Sequence, residues 1–416
     1  MASHGQGAEH EPPADAWIEG GDVTSPRGFR AAGVASGIKR EGLDLALLAS
    51  DGEAGAAGMF TSNRVRAAPV RWCERVLASA RARAIVANSG NANACTGEAG
   101  ERAAAAMARL TAEALGADPE RILVASTGVI GHPLPLAPLE RGIPAAAAAL
   151  DRDGDAAARA ILTTDTRPKA AALAVEIAGR AITLGGMAKG AGMIGPDLRL
   201  PHATTLAFLT TDAPLAAVAL RAALRAAIDV SFNAITVDGD TSTNDTVLLL
   251  ANGAAGGAEL SAPDELATFR GALTVLARRL ALDVVRDGEG ATRLIRIDVA
   301  GARDAADAKR VALTVANSPL VKTAFSAGEP NWGRILMAVG RAGAAIDPDR
   351  VSVRIGGLSI VERGVGAGTD PETLRAAMSR PEAEVAIDLG IGAGSFTVWT
   401  CDLSEEYVRI NAHYLT

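Results

Sequence analysis

The stretch from Gly185 to Ala213, GGMAKGAGMIGPDLRLPHATTLAFLTTDA, constrains this chain more than any other. Five glycines fall within Gly185–Gly195, and a single lysine, Lys189, stands among them. Glycine gives up more conformational entropy on folding than other residues, so this density implies positive φ values or close backbone approach. The stretch then steps through Ala203-Thr204 towards the apolar, strand-like run Leu206 to Leu209. A threonine hydroxyl can attack the carbonyl just before it. The chain released by that break begins with Thr204, which carries a hydroxyl nucleophile and, in its own α-amine, a base. The other reading of the same residues is a glycine loop entering a buried strand.

The length of 416 residues suggests two or three domains with ample room for a core. The formal net charge is −7 and no lysine- or arginine-rich block occurs, so nothing marks a nucleic-acid surface, and small-molecule or protein partners are expected. Cys73, Cys95 and Cys401 are far apart and odd in number, which argues against a disulfide framework and fits a reducing compartment. None sits in a pair with metal-ligand spacing. The N-terminal MASHGQGAEHEPPADA lacks an apolar core and reads as a disordered leader, residues 1–16, rather than a secretory signal. No apolar run approaches the ~20 residues needed to cross a bilayer. These features together place the protein in the cytoplasm.

In chain order, Leu43 to Leu48, Gly58 to Thr61 and Ala84 to Ala87 read as strands bounded by turn residues. Asn88 to Gly97, NSGNANACTG, reads as a loop rich in amide hydrogen-bonders, either substrate-facing or ordinary turn chemistry. Glu101 to Leu115 has helical spacing. Ile122 to Ala125 is a strand running into Ser126-Thr127-Gly128, where a hydroxyl and a backbone N–H can aim at one point, as in an oxyanion hole, or simply make a turn. A helix is expected over Ala145 to Ile161, followed by TTDTRPK, Thr163 to Lys169, which has no apolar residue.

Ala171 to Ile177 and Ala181 to Leu184 read as a hairpin over Gly179-Arg180, and Leu215 to Ile228 as a helix. Asp238, Asp240 and Asp245 then lie close together; three carboxylates could hold a divalent cation, or serve as turn and cap residues. Asp264 to Asp283 is the clearest helix, with Leu266, Phe269, Leu273, Leu276 and Leu280 at steps of three and four. After it, Glu289 stands between two glycines, open to a ligand or solvated in a turn. A composition shift near Ala300 marks a second unit of helices, Asp304 to Thr314 and Pro371 to Met378, and strands, Val351 to Ile355, Val385 to Leu389 and Phe396 to Thr400. The ending EEYVRINAHYLT suggests a docked C-terminus.

With these residues in view, the chain resembles the ornithine acetyltransferase, or glutamate N-acetyltransferase, family of arginine biosynthesis. The matching segments include PRGFRAAGVASGIK, FTSNRVRAAPV, NSGNANACTG, STGVIG, TTDTRPK, GGMAKGAGMI, ATTLAFLTTDA, FNAITVDGDTSTNDT, DGEGATR, EPNWGR and YVRINAHYLT, in order from Pro26 to Thr416. The resemblance implies self-cleavage between Ala203 and Thr204, giving an α chain and a β chain. It implies an oxyanion hole of Thr127 and Gly128, and substrate contacts from Thr163, Lys189, Thr204, Glu289, Asn411 and Thr416, with Thr164 and Thr166 in the same motif as Thr163. It also implies an α/β fold: an αββα sandwich over residues 17–290 built by both chains, a smaller α/β domain over residues 291–416, and an α2β2 assembly.

The implied reaction passes the acetyl group of N-acetylornithine to glutamate through an acetyl-threonine, without metal or nucleotide. Acetyl-CoA is left open as a second donor. One departure stands out: the family pattern has eleven residues from lysine to cleavage threonine, whereas Lys189 and Thr204 are fifteen apart, with the additional four within Asp197 to His202. His202 replaces the usual methionine, and Thr205 offers a second scissile bond. Two rival classes are an amidohydrolase or aminopeptidase of the same fold, using water as acceptor, and a metal-dependent phosphotransferase built on the three aspartates.

Overall fold

A computed structural model describes residues 16–195 and 205–413. The leader to residue 15, the segment 196–204 with Ala203 and Thr204, and the last three residues with Thr416 lie outside the described residues. The first part of the chain carries β1 (Phe29–Val34), β2 (Leu45–Phe60), α1 (Ala68–Val76), β3 (Arg81–Asn91), α2 (Gly97–Leu115), β4 (Ile122–Val129), α3 (Leu136–Ala148), α4 (Asp155–Ala160), β5 (Lys169–Ile177) and β6 (Arg180–Lys189). β7 (Leu206–Thr211), α5 (Ala217–Asp229), β8 (Ile235–Thr236), β9 (Thr246–Ala251) and α6 (Pro263–Arg286) follow. The remainder is β10 (Leu294–Ala302), α7 (Ala305–Ala316), α8 (Pro319–Ala327), α9 (Gly333–Gly340), β11 (Ser352–Ile355), β12 (Leu358–Glu362), β13 (Val365–Gly366), α10 (Pro371–Met378), β14 (Glu382–Asp388), β15 (Gly394–Cys401) and α11 (Glu405–His413).

Eight strands make the first sheet, in the order β4-β3-β2-β9-β7-β6-β5 with β1 paired to β2. β7 and β9 alternate strictly between two cores. Ala207, Leu209, Val247 and Leu249 join α5 and α6 in one, while Leu206, Phe208, Leu248 and Leu250 join β1–β4 and α1–α4 in the other. Strands buried on both faces read as continuous apolar runs rather than alternating ones, and Ile122 to Ala125 of β4 is such a run, all of it in the second core. The layering is therefore helix, strand, strand, helix: the αββα sandwich, wrapped from one continuous sheet. α6 buries Phe269, Leu273, Leu276 and Leu280 completely, as its spacing predicts, each worth about 1.5–3 kcal/mol against exposure.

The second sheet, β13-β12-β11-β14-β10-β15-β8, packs with α7–α10 around a third core. Its last strand, β8, comes from upstream in the chain and pairs parallel to β15 through Trp399↔Ile235 and Thr400↔Thr236. Residues 235–236, upstream of α6, are thus tied by backbone into the second sheet. Among the described residues no helix is long and apolar enough to cross a membrane.

Several expectations change in detail. The first two predicted strands are one, β2, with an irregularity between Ala49 and Ala54. Asn88 to Asn91 continue β3 instead of looping, because their polar groups find partners inside: Ser126 Oγ donates to Asn88 Oδ1 at 2.6 Å and Ser89 Oγ to the Ala160 carbonyl at 2.6 Å. The single helix expected over Ala145 to Ile161 is two, α3 starting earlier at Leu136 and α4 from Asp155, separated where the Gly154 N–H turns to Asp22 at 2.7 Å. The C-terminal segment forms α11, which the sequence reading left without structure.

Candidate active site

Loops, strand ends and helix α11 meet in a cavity of ≈ 790 Å³. Thr127, Gly128, Thr163, Lys189, Glu289 and Asn411, spread over most of the chain, all line it. The parallel pairing of β3 and β4 brings Gly90 beside Gly128, and the approach is tight: a Cβ on Gly128 would lie 2.4 Å from the Gly90 carbonyl carbon. With φ at +129°, position 128 needs glycine both for space and for conformation.

Lys189 ends β6 with its ammonium in the cavity. It donates to Thr163 Oγ1 at 2.7 Å and to Thr127 Oγ1 at 3.4 Å. Of the three threonines in TTDTRPK, Thr163 therefore meets Lys189 and Thr164 lines the wall, whereas Thr166 turns away to hydrogen-bond the Asp287 carboxylate. Behind Lys189 lies a buried ladder of charge. Asp165, inaccessible to solvent, accepts from the Gly190 N–H at 2.6 Å and the Thr163 N–H at 3.1 Å, and pairs with Lys169 at 2.6 Å and Lys189 at 3.8 Å. Lys169 pairs in turn with Asp287 at 2.6 Å. Burial alone would raise Asp165, but the ammonium groups of Lys189 and Lys169 and the amide donors outweigh it and hold the carboxyl down at about 2. Burial lowers Lys189 from the ordinary lysine value, with Asp165 opposing.

Glu289 lines the same cavity, against the glycine loop. It is buried, not a solvated turn acid, and Asn411 of α11 donates to its Oε2 at 2.7 Å. Two glycines make room for this arrangement. A Cβ on Gly192 would lie 2.5 Å from the Glu289 carboxyl carbon, and one on Gly290, at φ +68°, would lie 2.5 Å from the Tyr407 nitrogen of α11.

Two of the three aspartates, Asp238 and Asp245, are engaged in local structure, while Asp240 is exposed at the cavity. Asp238 accepts the N–H groups of Met193, Ile194 and Asp240 at 2.6, 2.9 and 3.2 Å, and the Tyr407 hydroxyl at 3.3 Å. Asp245 is buried and takes the Ser242 hydroxyl. Burial raises both carboxyls above the usual range. Asp238 thus fixes the turn after the glycine loop, as caps do. Among the described residues no group of three or more His, Cys, Asp or Glu is arranged to hold a metal ion.

Residues 30–416 match the sequence model of the ArgJ family. The chain belongs to the ArgJ family. It is 50% identical to the arginine biosynthesis bifunctional protein ArgJ of Symbiobacterium thermophilum, over 96% of this chain and the whole of that relative. It is 47% identical to the protein of the same name from Dehalococcoides mccartyi, over 95% of this chain and 98% of that one. Among solved structures, the ornithine acetyltransferase of Mycobacterium tuberculosis complexed with ornithine is 45% identical, covering 44% of this chain and 98% of its own, with a TM-score of 0.42. In this ArgJ-family chain, sequence reasoning missed Asp165, Lys169 and Asp287 behind the site, and Lys39 and Tyr407 on its walls. A buried i,i+4 acid–base pair, Asp165 and Lys169, was the available signal: a run without apolar residues invites an exposed reading, yet both side chains are buried.

Proposed function

We propose that this chain transfers the acetyl group of N-acetylornithine to glutamate, with Thr204 as nucleophile after cleavage of the Ala203–Thr204 bond. The observation that carries the reading is the convergence of Thr127, Gly128, Thr163 and Lys189 with Glu289 and Asn411 in one cavity. A free α-amine has an unperturbed pKa of about 7.7–8.0, so near neutral pH it can accept the Thr204 hydroxyl proton without a histidine. The hydroxyl oxygen bonds to the acetyl carbonyl carbon, and Thr127 and Gly128 donate to the oxygen that becomes negative. The carbon–nitrogen bond then breaks, the proton passes to the departing amine, and ornithine leaves an acetyl-threonine. Glutamate attacks that ester through its neutral amine, yielding N-acetylglutamate and restoring Thr204.

Lys189 suits the substrate carboxylate and Glu289 the side-chain ammonium of ornithine. We place the catalytic unit at residues 17–290 and the closing unit at 291–416, the latter supplying Asn411 and Thr416, and the working assembly as α2β2 in the cytoplasm. The chemistry requires no metal or nucleotide, and acetyl-CoA is the alternative donor to assay. The relatives' shared name, arginine biosynthesis bifunctional protein, does not favour the hydrolase alternative.

Denaturing mass analysis of purified protein should find two fragments, the heavier beginning at Thr204, and incubation with N-acetylornithine should add one acetyl group to that fragment alone. A single uncut chain in active protein, or acetyl released to water in place of glutamate, would overturn the reading. A narrower result concerns the far end of the chain. Deleting Leu415 and Thr416 should leave cleavage at Thr204 intact and raise KM for N-acetylornithine, because contacts that only bind substrate take no part in chain scission. Unchanged kinetics would remove Thr416 from the site.

A further inference from the structure

Lys39 lines the same cavity, on a loop held by a buried acid. Asp44, fully buried, accepts the N–H groups of Ser36, Gly37, Ile38 and Lys39 at 2.6, 3.0, 2.7 and 2.9 Å. The lysine stem lies along Gly90, where a Cβ would come within 2.7 Å of Lys39 Cγ, and Gly90 itself backs Gly128. This clamps the stem beside the oxyanion loop. The Lys39 ammonium donates to the Leu162 carbonyl at 3.3 Å, one residue from Thr163, to which Lys189 donates. Two ammonium groups thus converge on one wall. Their needs differ: Lys189 has Asp165 at 3.8 Å, while among the described residues Lys39 meets no carboxylate at ion-pair distance. Burial draws the Lys39 ammonium below its ordinary pKa, Asp44 opposes, and the neighbouring Lys189 adds to the fall. A ligand carboxylate arriving there would relieve both burial and repulsion.

We propose that Lys39 recognises the side-chain carboxylate of the acceptor glutamate, a charge that N-acetylornithine lacks; this rests on the acetyl-transfer reading above. The donor carries one carboxylate, which Lys189 satisfies. The acceptor carries two. A second cation on the same wall lets one cavity take both molecules in turn, and it selects a dicarboxylate for the second half-reaction only. The neutral analogue glutamine, of nearly the same shape, gains nothing from Lys39.

The test uses the mature enzyme and its Lys39→Met and Lys39→Arg variants, with the two half-reactions measured apart. Single-turnover release of ornithine from N-acetylornithine, without acceptor, should change by no more than about twofold in either variant. With Lys39→Met, kcat/KM for glutamate should fall roughly 10–100-fold, through KM, while that for glutamine stays put, so the preference between them collapses. Lys39→Arg should keep much of the preference. Equal losses in both half-reactions would make Lys39 a scaffold residue, and an intact preference in Lys39→Met would place the acceptor's carboxylate elsewhere; either overturns the proposal. A wild-type enzyme that releases no ornithine, or passes no acetyl group to glutamate, refutes the acetyl-transfer reading itself and is told apart from both.

Discussion

Thr127→Ala should slow acetyl transfer by roughly 10²–10³-fold, the usual cost of one oxyanion donor. Thr127 sits at the end of β4, partly accessible from the cavity and 3.4 Å from the Lys189 ammonium, so the hydroxyl is held in place rather than free to rotate away. Its loss leaves the fold untouched, since the side chain bridges no core. The same hydroxyl would serve two tetrahedral intermediates, one in chain scission and one in transfer, so maturation should slow as well. Following the uncut fraction over time after purification, and the steady-state rate of the fragments that form, separates the two effects. Thr127→Ser should recover most of both. Normal turnover in Thr127→Ala would move the oxyanion hole to another loop.

The second large effect is on stability. Lys169→Met should cost about 3–5 kcal/mol, because it strands the buried Asp287 carboxylate and leaves Asp165 only the more distant Lys189. Lys169 and Asp165 are wholly inaccessible and Asp287 nearly so, which leaves water no route to compensate. The penalty should also depend on pH, with a sign fixed by Asp165. In the wild type its folded pKa, about 2, lies below the ordinary aspartate value of 3.8, so its stabilising contribution is present above pH 3.8 and fades as pH falls through 2. Without Lys169 the Asp165 carboxyl protonates more readily, so the gap between variant and wild type should narrow on acidification. Denaturant midpoints at several pH values measure this. A gap that does not narrow would mean that the ladder contributes packing rather than charge. Adding Asp287→Asn to the variant should recover part of the loss, because the stranded charge goes with it.

Periodicity in the sequence sufficed for α6, for the Leu206 to Leu209 strand and for the β5–β6 hairpin, all cases in which the buried face is apolar. It failed where polar residues are buried. Asn88 and Ser89 look like loop residues, yet their hydrogen bonds are satisfied inside the sheet. TTDTRPK looks solvated, yet it carries the buried half of an ion-pair ladder. Thr127-Gly128 and Glu289 each read as turns as well as site residues, and no local pattern brings residue 127 to residue 289. Only the family resemblance grouped them, and it grouped the residues that face substrate. It said nothing of Asp165 or Asp44, whose work is to hold those residues from behind.

Under the proposed cleavage between Ala203 and Thr204, the strand order β2-β9-β7-β6 decides how the two fragments would stay together. β2 and β6 precede the cut, while β9 and β7 follow it, and each junction is a ladder of six residue pairs, Gly55↔Ala251 to Phe60↔Thr246 and Leu184↔Thr211 to Lys189↔Leu206. Without the later fragment, the earlier one would hold two strand groups, β1–β4 and β5–β6, with no backbone ladder between them. Without the earlier, the later would hold a two-stranded ribbon with both edges bare, a form marginal in water and prone to pair with other chains. Under that proposal folding comes first and scission second. Once made, the pair resists dilution as a single chain does, because parting the fragments means unravelling the sheet rather than undocking two finished surfaces.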